Sequence, residues 1–303
     1  MDIFLPIARM SVPAFTIVGL GGLVGLLSGM FGVGGGFLMT PLLMMLGIPP
    51  AVAVASDTNQ IVAASVSGTL AHSKKKNVDF MLGFIIVTGG LVGGSLGTVL
   101  VKILMSLGNF DLVLKIAYVA MLFLVGSFMF WESVSALKKG GQTQNGKKNA
   151  VSAFLDRLPM KMRFKASGIE ISVPALMALG FLTGVLSAVM GVGGGFIMLP
   201  IMIYIIGMPV KNSVGTSAFV VIFTAINVTI AQSVINHTVD FVLAMMLLIG
   251  SSAGAQIGAR LGNKLKAEQL RVAFSIIVLL VMVKIVVELL SAPASLIVQG
   301  GGH

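Results

Sequence analysis

The residues of this chain whose spacing is hardest to ascribe to chance have no side-chain chemistry of their own. Gly32-Val33-Gly34-Gly35-Gly36-Phe37 returns as Gly191-Val192-Gly193-Gly194-Gly195-Phe196, each followed four residues later by a proline, Pro41 and Pro200. Adjacent glycines break a helix, admit positive φ and let a ligand approach bare amides. Each run closes one apolar stretch and opens another, so free N–H groups point out of a new helix N-terminus, an end whose partial positive charge suits an anion. The expected anion donors are the backbones of Gly34, Gly35, Gly36 and Phe37 and of Gly193, Gly194, Gly195 and Phe196. The alternative, close helix packing by small residues, suffices for Gly21/Gly25/Gly29 and Gly250/Gly254/Gly258 but explains three adjacent glycines poorly. Neither run is followed by Lys-Ser/Thr or fits a dinucleotide fingerprint, so nucleotide loops are rejected.

A second pair of corresponding segments carries hydroxyls: Ser56-Asp57-Thr58-Asn59-Gln60 and Gly215-Thr216-Ser217. Thr58, Thr216 and Ser217 are the candidate hydroxyl donors to a bound oxyanion, against the alternative of caps and helix–helix hydrogen bonds. Asp57 is the one acid in its apolar region. An ionised carboxylate there repels an anion, so proton coupling suits it better than direct ligation, and the second half has Ser217 in its place. Thr224, Asn227 and Gln232 either line a polar path or bond across helices. Lys284 and Glu288, four apart, are spaced for an ion pair. Arg260 either meets a departing anion or anchors its helix at the membrane surface. His72 and His237 have no carboxylate partners and make a poor metal site. There is no Cys, no nucleophile–base–acid trio and no carboxylate pair, so neither enzyme, cofactor nor metal centre is expected.

These residues must be positioned by helices whose solvent is a bilayer. Of 303 residues 56% are apolar and 10% charged, and the mean hydropathy is +1.04, a composition that cannot present a water-compatible surface. Apolar stretches run over roughly 13–31, 36–47, 53–72, 80–101 and 112–132, then 172–190, 195–206, 213–233, 241–260 and 272–290. The second stretch of each set is too short to cross a membrane and is expected to end inside it. The start of the chain shows no cleavable leader, so the first apolar segment is expected to stay. Between the sets lies a basic insert, Lys138–Lys165, expected to be a solvated connector.

The two sets are copies. Ser11-Val12-Pro13-Ala14 matches Ser172-Val173-Pro174-Ala175, Val78-Asp79-Phe80 matches Val239-Asp240-Phe241, and Gly89/Gly93/Gly97 match Gly250/Gly254/Gly258. The expected organisation is a first repeat over 1–137, a cytoplasmic basic linker over 138–170 and a second repeat over 171–303, forming one domain. Putting 73–79, 138–165, Lys211 and 260–271 in the cytoplasm places sixteen of the 20 Lys and Arg residues there, a strong positive-inside bias. Equivalent loops of the two halves carry opposite charge patterns, so the halves are expected to be inverted, with both termini extracytoplasmic. The net charge of +10 is then topology and requires no nucleic-acid partner.

The duplicated Gly-x-Gly-Gly-Gly-Phe-x-x-x-Pro, with Gly215-Thr216-Ser217 and Gly258-Ala259-Arg260-Leu261-Gly262, resembles the TauE/SafE sulfite-exporter family over nearly the whole chain. The resemblance implies a bacterial-type inner-membrane permease for sulfur-containing anions such as sulfite, organosulfonates or thiosulfate, driven by an ion gradient. The expected protein is therefore an all-α inverted-repeat transporter that moves a small anion by alternating access, with lipid as its surroundings. A cation or metal carrier lacks convergent carboxylates, and a non-transporting receptor or assembly partner does not require duplicated helix breaks. Gly35→Val or Gly194→Val is expected to abolish transport while the protein still inserts and purifies; unchanged transport in both would refute a backbone site.

Overall fold

The computed structural model describes residues 2–31, 36–138, 159–164, 166–262 and 267–290. Gly34, Gly35 and most of the basic insert lie outside the described residues, as does the side chain of Arg260. The chain opens with a hairpin of β1 (Asp2–Leu5) and β2 (Met10–Pro13). Helices α1 (Ala14–Phe31), α2 (Gly36–Met45), α3 (Pro50–Lys74), α4 (Phe80–Ser106) and α5 (Phe110–Lys138) follow. A second hairpin, β3 (Lys161–Phe164) and β4 (Ile169–Ser172), leads into α6 (Val173–Met190) and α7 (Gly195–Pro200). Helix α7 continues as a π-helical segment, Ile201–Ile205. Then come α8 (Val210–Ala231) with a π-helical tail, Gln232–Asn236, α9 (Phe241–Gly262) and α10 (Ala267–Leu290). The expected stretches reappear with ends shifted by up to six residues, most outward and a few inward, and the two small hairpins are additions that the hydropathy pattern did not disclose.

Five described helices are long and apolar enough to cross a membrane, within α4, α5, α6, α8 with its tail, and α9. Large apolar side chains cover their outer surfaces, among them Phe84, Leu124, Leu182, Ile230 and Phe241. In water that surface would be untenable; in lipid it costs nothing. The protein is an all-α integral membrane protein.

With lipid as apolar as leucine, helix association depends on close backbone approach. The glycine stripes provide it. Helix α1 runs parallel to α9, with Gly21 beside Leu247 and Gly250, and Gly258 beside Leu26. Helix α4 runs parallel to α6 in the same manner, Gly89 facing Met177 and Gly93 facing Phe181. A Cβ at Gly93, Gly180, Gly184, Gly250 or Gly254 would be driven into the facing backbone, which cannot retreat. Helices α3 and α8 pack antiparallel: Gly215, near the start of α8, faces His72 and Asn77, while Ser56 meets Asp240. Helices α5 and α10 are antiparallel too, Lys115 reaching Glu288 at 3.4 Å while Gly126 lies against Val278 and Leu279.

Two buried aspartates tie the helix starts to the hairpins. Asp79 caps α4 by accepting from Leu82 N at 3.1 Å, and its second oxygen accepts from Ser167 Oγ in the turn between β3 and β4. Asp240 accepts from Leu243 N at 3.1 Å and from Ile7 N at 2.9 Å in the turn between β1 and β2. Each aspartate's own N–H donates to a hydroxyl, Asp79 to Thr216 Oγ1 at 2.9 Å and Asp240 to Ser56 Oγ at 3.0 Å. A carboxylate satisfied by cap and turn donors is tolerable at zero exposure where a bare one is not. We expect Gly93→Val or Gly254→Val to destabilise by at least about 1–3 kcal/mol through overpacking, read as a lowered melting temperature in detergent. Gly19→Ala, where a Cβ meets nothing within 4 Å, should melt like the parent.

Candidate functional site

The site is organised by the break between α6 and α7. Gly191, Gly193 and Gly194 adopt φ of 72°, 66° and 76°, the left-handed region that glycine enters freely. Gly191 N closes α6 onto Ser187 O at 2.9 Å, and Met198 N opens α7 onto Gly194 O at 2.8 Å. Pro200, which cannot donate to the helix ladder, lies where the α-helix gives way to the π-helical segment. The turn is pressed onto α3: a side chain at Gly191 would strike the backbone of Val54, and one at Gly193 would strike Ile61. At the start of α2, a Cβ at Gly36 would also strike Ile61, with Asp57 Oδ2 beyond it at 3.5 Å. Gly193 in the turn and Gly36 at the start of α2 therefore converge on α3 at Ile61. Phe37 and Phe196 meet there, both buried, their rings stacked with centroids 4.2 Å apart and 14° between planes. That stack clasps the two short helices together.

The hydroxyl candidates separate. Thr58 Oγ1 donates to Val54 O at 2.8 Å within its own helix and is fully buried. Thr216 Oγ1 takes the Asp79 amide, as described above. Ser217 donates to Val214 O at 3.0 Å and also lines a cavity between the helices. Asp57 is fully buried, accepting from Thr40 Oγ1 at 2.9 Å and from Gln60 Nε2 at 2.6 Å. Tyr118 of α5 lies beside Thr40 and donates its hydroxyl proton to Met190 O.

The cavity has a volume of about 490 Å³, within the range of small-molecule sites. One wall is α3 from Gln60 to His72, roughly 18 Å of helix running toward Lys74–Lys76. Ser65 and Ser67 lie on that wall, Ser251, Ser252 and Gln256 on the α9 wall, and Gly195 and Leu199 at the break. Among the described residues no lining residue is acidic, and His72 is the one that can become cationic. Such a surface can solvate an anion through hydroxyl, amide and backbone N–H donors without a fixed countercharge. Of the predicted site residues, Gly195 and Ser217 line the cavity; Gly193, Gly194, Gly36, Phe37 and Phe196 shape the break beside it.

Most of the cavity's polar wall escaped sequence reasoning. Its serines are scattered over α1, α3, α8 and α9, and only the i, i+8 and i+12 recurrence of Gln60, Gly68 and His72 marks a polar face on α3. Two of the polar-path candidates bond across helices, Asn227 Nδ2 donating to Leu91 O at 3.1 Å and Gln232 Nε2 to Ala188 O at 3.1 Å, while Thr224 Oγ1 donates to Val220 O at 3.1 Å in its own helix. Glu288 is joined to Lys115 of α5, which also holds Asp111 at 3.1 Å. Among the described residues no three His, Cys, Asp or Glu side chains are grouped to hold a metal.

An apolar bundle of membrane helices, with a left-handed glycine turn beside a hydroxyl-lined cavity, defines an integral membrane protein built round a solute-sized site. The chain belongs to the family described as Sulfite exporter TauE/SafE, whose model matches residues 17–285. It is therefore a member of a membrane transporter family. It is 26% identical over 292 residues to the probable membrane transporter protein YunE of Bacillus subtilis (strain 168), covering 90% of this chain and 97% of that one. A probable membrane transporter protein of Xylella fastidiosa (strain 9a5c) is 28% identical over 77% of this chain and 78% of its own. Sulfite exporter TauE/SafE family protein 5 of Arabidopsis thaliana is 32% identical over 89 residues, 28% of this chain and 19% of that one. No solved structure matches. Because the chain has no cysteine, Ser67→Cys and Ser252→Cys should react with a water-soluble thiol reagent in membranes, and Thr58→Cys, at zero exposure, should not. Labelling of Thr58→Cys as fast as Ser252→Cys would relocate the cavity.

Proposed function

We propose that the chain is a secondary transporter moving a small sulfur-containing anion, sulfite or an organosulfonate, across the inner membrane by alternating access. The observation that carries this reading is the acid-free, hydroxyl-lined cavity set against the left-handed glycine turn. A tetrahedral or pyramidal oxyanion presents three or more acceptor oxygens to such a wall, and the dispersed donors fit it better than they fit a cation. Backbone amides of Gly193, Gly194, Gly195 and Phe196, with Ser217, are the donors on the α7 side. Gly34, Gly35, Gly36 and Phe37 are their counterparts, with Thr58 and Thr216 supporting the helix starts. Asp57 is the proton site. No step of bond making is needed, and the protein acts as a carrier, not an enzyme.

The same reading takes 1–137 and 171–303 as inverted repeats joined by the linker 138–170. The antiparallel packing of corresponding helices, α3 on α8 and α5 on α10, supports it, because an axis that interchanges antiparallel helices must lie across them, in the membrane plane. With both termini extracytoplasmic, the cavity wall that runs toward Lys74–Lys76 opens to the cytoplasm, the inward-facing state of the cycle.

Purified protein in liposomes tests the assignment. Radiolabelled sulfite or an organosulfonate should exchange across the bilayer, and unlabelled congeners should compete while acetate and chloride should not. A ligand at 100 times its dissociation constant adds roughly 2.7 kcal/mol of stability, so the same anions should raise the melting temperature. Protein that exchanges none of the sulfur anions, and melts unchanged in all of them, refutes the substrate class.

A further inference from the structure

Gln60 joins two features that are otherwise separate, the buried carboxyl of Asp57 and the cavity wall. Its Nε2 donates to Asp57 Oδ1 at 2.6 Å, its side chain forms part of the wall, and the residue is 4% exposed. Its Oε1 is buried without a hydrogen-bond partner. A buried amide oxygen left unpaired is a group waiting for a donor, and an amide can exchange its two ends by rotating about its terminal torsion.

We propose that Gln60 contacts the transported anion and makes that contact depend on a proton at Asp57; the proposal rests on the anion-transport reading above. With Asp57 ionised, Nε2–H donates to Oδ1 and only the unpaired Oε1, an acceptor that repels an anion, is left to meet one. When Oδ1 takes a proton, it becomes a donor and requires an acceptor. The amide then turns over, Oε1 accepting from Oδ1–H, and the –NH2 group becomes available to an anion's oxygen. One proton on Asp57 converts one wall group from acceptor to donor. The anion and the proton then bind together, which is the requirement for symport.

The surroundings favour Asp57 as the group that exchanges this proton. On α2 it meets Thr40, and on α5 the nearest titratable group is Tyr118, whose hydroxyl is engaged with Met190 O. One turn before Tyr118, Lys115 is paired with Asp111 and Glu288. Asp240, next to Ser56, is committed to the amides of Ile7, Ala8 and Leu243. Helix α6 carries no ionisable residue, while α8 and α9 carry Lys211 in the first turn and Arg260 in the last. His72 lines the far end of the cavity, and its Nδ1 is also unpartnered, so it is the rival proton site.

Methanesulfonate, a monoanion across the accessible pH range, separates the possibilities when its binding to the full-length protein is measured against pH. If only the Asp57-protonated form binds, the dissociation constant rises about tenfold per pH unit above the break, because the competent fraction falls in that proportion. Asp57→Asn, neutral at every pH and with an NH2 group to offer Oε1, should bind at the parent's low-pH affinity with no pH dependence, and in liposomes should exchange anion without responding to a pH gradient. Gln60→Met, close in volume, should bind about tenfold or more weakly and without the slope. The slope should survive in His72→Gln. A slope retained by Asp57→Asn, parent-like binding by Gln60→Met, or a slope lost in His72→Gln overturns the proposal. Should Gln60→Met fail to fold, Asp57→Asn alone decides. Parent protein that binds methanesulfonate with no pH dependence refutes the coupling and leaves the anion site standing. Protein that binds neither methanesulfonate nor sulfite at any pH refutes both.

Discussion

Irregular backbone in a bilayer must be covered by protein, because each unpaired amide in hydrocarbon costs several kcal/mol. The turn at Gly191–Gly194 meets that constraint by lying against α3, and the rest of the architecture follows from the contact. Three left-handed residues in four leave no room for side chains on the α3 side, so Val54 and Ile61 can seat directly on the turn. Ile61 also abuts Gly36, and one side chain thereby spaces both helix breaks. Helix α3 consequently touches α2, α5, α6, α8 and α9. It is the least apolar of the membrane helices because it supplies Asp57 and Gln60 as well as the cavity wall. Polar residues are tolerated there because Asp57 and Gln60 are buried among the packed helices and hydrogen-bonded to each other.

The same constraint explains which features could be read from the chain. Helix existence was legible because lipid-facing helices are apolar all round and broken only by glycine, proline and charge. The glycine stripes were legible as packing seams, since nothing but backbone contact needs such spacing, and the structure places Gly89/Gly93 and Gly250/Gly254 against facing backbone. The hairpins were not legible. Asp2-Ile3-Phe4-Leu5 and Lys161-Met162-Arg163-Phe164 share no residue at equivalent positions, although the partnering of Asp2 with Pro13 is matched by that of Lys161 with Ser172. Four-residue strands are fixed by their turns and by the buried aspartate each turn donates to, which is a tertiary interaction. The cavity wall was illegible for a related reason: single serines on four helices carry no pattern until the helices are packed.

Duplication and divergence occupy different layers of the molecule. The scaffold is duplicated closely. Asp79 and Asp240 each cap a helix, hold a hairpin turn and bond a hydroxyl at the start of the other α3/α8 helix, Thr216 or Ser56. Those interactions match because each half seals a hairpin turn onto a helix start with a buried carboxylate. One turn beyond those hydroxyls the symmetry ends. Aligned on Ser56 and Thr216, the positions of Asp57 and Gln60 are occupied by Ser217 and Val220 in the other half. The serine bonds its own helix backbone and the valine belongs to the apolar core.

That divergence has a physical logic. A carboxyl at position 217 would stand on the cavity wall itself, where its negative charge would exclude an anion, whereas Ser217 presents a hydroxyl there. The asymmetry therefore gives the molecule one polar pair, Asp57 with Gln60, set into a scaffold that is otherwise repeated. It lies at the helix turn where both glycine breaks press on Ile61. Any motion that separates the breaks must move that turn, and with it the link between the buried acid and the cavity.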